Sequence, residues 1–393
     1  MRKTCGALLL AALPILMLFP TAAAQEVQWL QYRSSRDAAS IVRDMGLQRL
    51  ELTDEKPTDI NLPQFDGEEP LFAKWPTPMV ESGYLWVALD RTHKYGSYDR
   101  LFIDANGNGQ LDDETPTTTY RSDQYRASFG PVTVTFEGED GPITYHLNLD
   151  CYVRRNRRQL YVRSAGWYEG AIMLDGQKKH CMLIDYNANG AFNDKSMDFG
   201  ECDRIRIGEE GNRETCFVGN YVELDGTLHA VKIARDGACV TLAKAQGVKF
   251  GTVRLPESVT EFAAGGENGL FTRKPENGLC KLPAGTYRIE RWTVERQDQK
   301  GAQWKAEGRF FDDKGVFDVT ETGEAELSIG EPIVCAVQAG QREPGYHYFG
   351  QEMRGQLGER VALTRNGARP QPPKLRIKSE DGKYERTFTF EYG

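Results

Sequence analysis

Along residues 143–153 apolar side chains fall at every second position (Ile143, Tyr145, Leu147, Leu149, Cys151, Val153) with mostly polar residues between them. That period of two marks a strand with one buried and one wet face. Shorter apolar runs recur through residues 81–250. Trp86-Val-Ala-Leu-Asp90 leads to Leu101-Phe-Ile-Asp104, and Ala171-Ile-Met-Leu-Asp175 leads to Met182-Leu-Ile-Asp185. Each predicts strand, polar turn, strand and then an oxygen-rich loop, so the region reads as a duplicated β unit forming one packed domain. In the second copy, residues 221–224 and 228–233 predict a hairpin turned by Asp225-Gly226.

Outside this region the pattern is less regular. Residues 251–393 predict a β-sandwich-like domain with turns at Pro283-Ala-Gly285, 298–301, 312–315 and Asp381-Gly382, and with Tyr384, Phe388, Phe390 and Tyr392 on one face of a terminal strand. Helical signals occur at 35–45, where Ser34 or Ser35 would cap and Gly46 would terminate. Pro57, Pro63, Pro70, Pro76 and Pro78 interrupt the run that follows, and regular elements exclude such spacing. Residues 25–80 therefore predict an N-terminal arm over the next domain, with one short helix and a Pro-rich extended segment. The fold class expected is mainly β.

The most informative chemistry lies in the loops that end each strand pair. Asp104-Ala-Asn-Gly-Asn-Gly-Gln110 and Asp185-Tyr-Asn-Ala-Asn-Gly-Ala191 put side-chain oxygens at positions one, three and five, glycine at six and an apolar residue at eight. A hard divalent cation needs six to eight oxygens, and a curled chain supplies them in this alternation, with a backbone carbonyl at seven. The candidate ligands are Asp104, Asn106, Asn108 and the carbonyl of Gln110, then Asp185, Asn187, Asn189 and the carbonyl of Ala191. Leu111 and Phe192 would anchor the loops. No Glu stands at position twelve, where Thr115 and Ser196 occur. Closure falls to Asp112, with Asp113 or Glu114, in the first loop, and to Asn193, Asp194 or Asp198 in the second. Two Asn per loop lower the charge, which suits weak sites filled at extracellular calcium levels. The competing reading is simple turn chemistry, which Asn-Gly pairs also serve. Repetition of the whole pattern favours calcium.

Residues 1–24 have the layout of an export signal: Arg2 and Lys3, an apolar run, then Ala22-Ala-Ala24. Its removal takes the formal charge from −8 to −10, which disfavours nucleic acid as a partner. Seven of the eight cysteines remain, an odd number with no Cys-x-x-Cys spacing. Cys202 with Cys216 is the leading pair for a disulfide. Arg154, Arg155, Arg157 and Arg158 stand out in so acidic a chain. A solvated hairpin tip accounts for them, and a contact for an anionic polymer, such as an envelope glycan, is the sharper alternative. Trp75, Trp86, Trp167, Trp292 and Trp304 are candidates for sugar stacking, with core packing as the alternative. His180 beside Cys181 is no joint metal site, since neighbours on a strand point to opposite faces.

Leu71-Phe-Ala-Lys-Trp75, Tyr98-Asp-Arg-Leu-Phe-Ile-Asp104, Phe129-Gly-Pro-Val132, Lys179-His-Cys-Met-Leu-Ile-Asp185 and Phe390-Glu-Tyr-Gly393 resemble a family of uncharacterised exported bacterial β-rich proteins carrying EF-hand-like calcium loops. Leu282-Pro-Ala-Gly-Thr-Tyr287 resembles the strand entry of transthyretin-like and carboxypeptidase-regulatory β-sandwiches. The first resemblance implies an exported calcium-loop protein and supplies no reaction. Hydrolase elbows, zinc-protease motifs and phosphate-binding glycine loops do not occur in the sequence. The expectation is an exported calcium-binding β protein with a structural or ligand-binding role at the cell envelope. The alternative is a secreted hydrolase with structural calcium and an acid/base carboxylate pair.

Overall fold

The computed structural model describes residues 26–93, 96–155 and 157–391. The predicted export segment and Tyr392 lie outside the described residues. The chain is mainly β, its sheets almost wholly antiparallel.

Four sheets build the region up to Lys244, and they come in two sets. In the first set Leu71–Pro76, Tyr84–Asp90, Arg100–Ile103 and Thr117–Thr118 form one meander, and Arg126–Gly138, Gly141–Arg154 and Arg157–Ser164 another. In the second set Gly166–Leu174, Gln177–Ile184, Arg204–Gly208 and Cys216–Phe217 repeat the first meander. Tyr221–Leu224, Thr227–Ile233 and Cys239–Lys244 repeat the second. Asp225 and Gly226 turn the Tyr221–Leu224 hairpin with φ of 48° and 73°, the positive values a two-residue hairpin turn requires.

The register corrects one detail of the sequence repeat. Asp104 lies across from Trp86, whose carbonyl accepts its N–H, and Asp185 follows Ile184, one step past the Tyr168–Leu183 pair. Counted from the loop aspartates, Trp86–Asp90 therefore matches residues 166–170, not Ala171–Asp175. The second hairpin runs on to a tight turn at Asp175-Gly176, whereas the ladder of the first ends at the Asp90–Arg100 pair.

The N-terminal residues are arm-like only in the extended run 54–70, where Ile60, Leu62 and Phe65 pack on the Phe72, Trp86 and Phe102 cluster; on either side of it they join the sheets. Val27–Trp29 pairs with Cys239–Lys244 and Gln31–Ser34 with Gly166–Leu174, so the first strands complete the second set of sheets. Gln48–Glu51 then pairs with Arg157–Ser164, Thr53 bridges to Phe72, and Leu71–Pro76 edges the remaining sheet. A sheet edge exposes unpaired N–H and C=O groups, and these strands cover four of them. The helix is shorter than expected, Ala38–Val42, and ends at Arg43 in the left-handed conformation rather than at Gly46; Asp37 is the capping position, without a side-chain cap. Pro70 and Pro76 are compatible with the Leu71–Pro76 strand because they flank or end an edge strand, where a missing N–H costs no ladder bond.

One large apolar cluster joins the four sheets, from Leu30 to Leu242, and includes Trp75, Phe136, Tyr145 and Phe192. Phe72, Trp86, Ala88, Phe102 and Leu111 form a small satellite cluster on the far face of the Leu71–Pro76 sheet. A separate core begins at Val253 and centres on Phe262, Tyr287 and Trp292. It is covered by the long sheet built on Gly285–Gln297 and by a smaller sheet in which Phe250–Arg254 pairs in parallel with Glu324–Glu326. Beyond it the hairpins Val334–Glu343/Tyr346–Arg354 and Lys374–Lys378/Glu385–Thr389 are largely exposed, Tyr384 and Phe388 included.

Candidate metal centre

Both oxygen-rich loops begin where a buried strand ends, and the last buried strand residue is followed by a buried aspartate. In each the chain reverses through two left-handed residues at positions four and six: Gly107 (φ 72°) and Gly109 (78°), then Ala188 (55°) and Gly190 (94°). A Cβ on Gly190 would also sit 3.0 Å from the Phe136 ring, so glycine is required there twice over.

Most of the hydrogen bonds repeat position by position; the position-five N–H differs, donating to Asn106 Oδ1 at 3.0 Å in the first loop and to Asp185 Oδ1 at 3.2 Å in the second. The position-six N–H donates to the position-one carboxylate, from Gly109 to Asp104 Oδ2 at 2.9 Å and from Gly190 to Asp185 Oδ2 at 2.7 Å. The position-seven N–H donates to the position-five amide oxygen, from Gln110 to Asn108 at 2.7 Å and from Ala191 to Asn189 at 2.8 Å. Both asparagine Nδ2 groups of each loop point at a single aspartate ten positions in. Asn106 and Asn108 donate to Asp113 Oδ2 at 3.1 and 2.8 Å; Asn187 and Asn189 donate to Asp194 Oδ2 at 3.1 and 2.6 Å. Asp113 and Asp194 are thus equivalent.

A third carboxylate ties down the position-two N–H. Glu114 Oε1 accepts from Ala105 at 2.6 Å, and Asp203 Oδ1 accepts from Tyr186 at 2.9 Å. Asp203 was not among the expected residues, because an insertion moves it nine places beyond Asp194. Glu201 also reaches Asn187 Nδ2, at 3.3 Å. Asp112 is exposed and Asn193 half-buried, and neither takes part in this network. Asp198 receives the N–H of Gly200 instead. The sequence signal for the carboxylate that both amides reach was the shared position of Asp113 and Asp194.

Burial makes these carboxylates unusual. It raises the pKa of Asp104 and Glu114, with the charge of Asp113 adding to it. Asp185 is pushed up to about 7 by burial, even though Tyr145 Oη donates to it at 2.7 Å. Asp203 is raised well above the carboxylate range, again by burial first and then by the charges of Asp185 and Asp194. Two buried oxygens, Asp104 Oδ1 and Asn187 Oδ1, have no hydrogen-bond partner. Among the described residues no three His, Cys, Asp or Glu side chains form a metal-ligating group; each loop gathers carboxylates together with asparagine amides whose nitrogens are turned toward the aspartate at position ten. That donor chemistry, and the two orphaned oxygens, fit an oxygen-seeking cation.

The remaining candidates scatter. Trp75, Trp86, Trp167 and Trp292 are buried core residues, so they offer no sugar platform; Trp304 is half-buried and donates to Asp298. Trp29, 70% exposed, was not anticipated. Cys202 and Cys216 are free thiols, as are the other described cysteines; Cys202 is fully buried and its Sγ lies 3.3 Å from the Val218 carbonyl. Cys181 is buried while His180 is half-exposed, on opposite faces of one strand. The arginine run is divided. Arg158 pairs with Asp54 at 2.6 Å, and Arg157 is hydrogen-bonded to Gln159 and Tyr161 along its own strand. Among the described residues no helix is long and apolar enough to cross a membrane.

No family model, curated protein or solved structure matches the chain.

Proposed function

We propose that this is an exported β protein braced by two calcium ions, with a structural or ligand-binding role at the cell envelope and an anionic polymer as its partner. The observation that carries the calcium reading is that each loop holds one buried, partnerless oxygen, Asp104 Oδ1 at position one of the first and Asn187 Oδ1 at position three of the second. A buried polar atom without a partner costs about 1–3 kcal/mol, and two such costs at matching loops suggest a missing ligand. Asp104, Asn106, Asn108, the carbonyl of Gln110, Asp113 and Glu114 would hold the first ion. Asp185, Asn187, Asn189, the carbonyl of Ala191, Asp194 and Asp203 would hold the second.

The asparagine amides tie the first half of each loop to its aspartate at position ten. Each NH₂ turned toward Asp113 or Asp194 supplies the partial positive charge that a cation would supply, and a half-turn about the last side-chain torsion presents oxygen instead. Binding energy then becomes folding energy for the strands on either side.

The raised carboxylates do not favour the hydrolase alternative. Asp185 and Asp203 are buried within the second loop, where a polymer substrate has no access. The anionic partner is supported by the arginines of residues 154–158, in a chain whose overall charge is negative. Calcium titration by calorimetry tests the main reading: two ions bound per chain are expected, and none bound at millimolar calcium would overturn it.

A further inference from the structure

Where the two repeats part company, the first acquires a cleft. Its hairpin ladder ends at the Asp90–Arg100 pair, whereas the second hairpin stays paired up to its turn at Asp175-Gly176. The ladder end is pinned: the Thr92 N–H and Oγ1 donate to Asp99 at 2.9 and 2.6 Å, and Tyr98 Oη donates to the Glu69 carbonyl at 2.9 Å. Facing it are the start of Arg126–Gly138 and the end of Gly141–Arg154. Between them lies a cleft of about 640 Å³ lined by Arg91, Tyr125, Arg126, Arg154, Arg155 and Arg158 among others.

The charge in this cleft is not balanced from within. Arg91 is paired with Glu69 and Arg158 with Asp54. Arg126, Arg154 and Arg155 form no ion pair among the described residues; the carboxylate that acts on them is Asp123, which accepts the Arg126 N–H at 3.0 Å and is held below its usual pKa by the Tyr125 and Arg126 N–H groups and then by the Arg126 charge. Arg154 lies over the Tyr125 ring, 4.4 Å from its centre, which holds its guanidinium in place. Three cations kept close together repel, and an anion shared among them relieves that repulsion through charge-assisted hydrogen bonds. The cleft falls within the range of small-molecule sites, roughly 300–1,000 Å³, which is far more than a bare sulfate fills. Tyr125 is 38% exposed and gives the site an aromatic ring beside the guanidinium groups.

We propose that this cleft binds an anionic saccharide unit, a sugar ring bearing carboxylate or sulfate. The proposal rests on the anionic-partner reading above and moves that partner from the hairpin tip as a whole to Arg126, Arg154 and Arg155. Arg157 takes no part.

The test is calorimetric titration of the full chain with calcium present, using a galacturonate oligomer, a sulfated oligosaccharide of equal length, a neutral oligosaccharide and inorganic sulfate. Binding of either charged oligomer is expected, and which one binds identifies the charged group. The neutral oligomer should not bind, and inorganic sulfate should bind at least about tenfold more weakly. Combining Arg126→Glu with Arg155→Glu should weaken binding by about a hundredfold or more, while Arg157→Glu changes it by less than about threefold. Unaltered melting temperatures confirm that the variants fold. A loss from Arg157→Glu equal to that from the paired substitution would overturn the cleft and leave the anionic partner standing. Sulfate binding as tightly as the oligomers would overturn the saccharide. No binding of either charged oligomer would overturn both readings.

Discussion

Residues 104–114 and 185–203 follow one backbone plan in two different settings. The first loop projects from a small satellite core: Leu111 is its buried anchor, packed with Phe72, Trp86 and Phe102, while Asn106, Asn108, Asp112 and Asp113 line a loop open to water. The second is set into the main core. Phe192 packs edge-on against Tyr145 and Tyr168, Tyr145 stacks on Trp75, and the Ala188 carbonyl accepts Trp75 Nε1 at 2.9 Å. The same donors therefore do different work. On the calcium reading proposed above, a cation would order a local turn in the wet loop, and in the dry loop would neutralise carboxylates that the core otherwise keeps protonated.

Truncating the two anchors tests this contrast most severely. Phe192→Ala should cost about 3–5 kcal/mol and lower the melting temperature of the whole four-sheet region, since it opens the shared core. Leu111→Ala should also cost on the order of 2–4 kcal/mol where it acts, but its effect should appear as faster hydrogen exchange confined to residues 100–118. Equal global effects of the two would erase the distinction.

Removing one ion at a time is the next sharpening. Asp185→Asn should remove most of the calcium-dependent rise in melting temperature, and Asp104→Asn little of it. At a calcium concentration 100 times the dissociation constant, a site is worth about 2.7 kcal/mol. Chelator melts of both variants read the difference directly.

The loops should also differ in their response to pH. Asp185 has a folded pKa of about 7 against an unfolded value near 3.8, so folding favours its protonated form. In chelator, stability should be greatest below pH ~4 and fall as the pH rises toward ~7, by an amount on the order of a few kcal/mol. With calcium bound the ionised form is held, so this loss should vanish. Proton release on binding, measured in buffers of different ionisation enthalpy, should be larger for Asp104→Asn, which keeps the dry site, than for Asp185→Asn.

The smallest effect is expected at Ala188. Its φ of 55° places an L-residue in the left-handed region that glycine occupies in the first loop. Ala188→Gly should therefore be nearly neutral, within about 1 kcal/mol, because relief of strain offsets the lost methyl packing and the greater chain entropy. A strongly destabilised variant would mean that the two turns are not equivalent.

What could be read from the sequence was what lies close together along it. The alternating oxygens, the position-six glycines and the anchors Leu111 and Phe192 are all local, and each stands in a recognisable place. Asp203 was hidden because its partner, the Tyr186 N–H, is reached across an insertion. The strands at Val27–Trp29 and Gln31–Ser34 were illegible for a similar reason: they are short, and they pair with residues more than a hundred positions away. Proline spacing misled at Leu71–Pro76, since it cannot reveal that a strand lies at an edge. The arginine cleft combines Arg91 and Arg126 with the 154–158 hairpin, and only the divergence of the two repeats brings them together.

The most direct test of the central claim is a calcium titration followed by thermal melts in calcium and in chelator, on the unsubstituted protein. Two bound ions of unequal affinity, and a transition that falls clearly in chelator, are the predicted result. A melting temperature indifferent to chelator, with no heat of calcium binding, would contradict it.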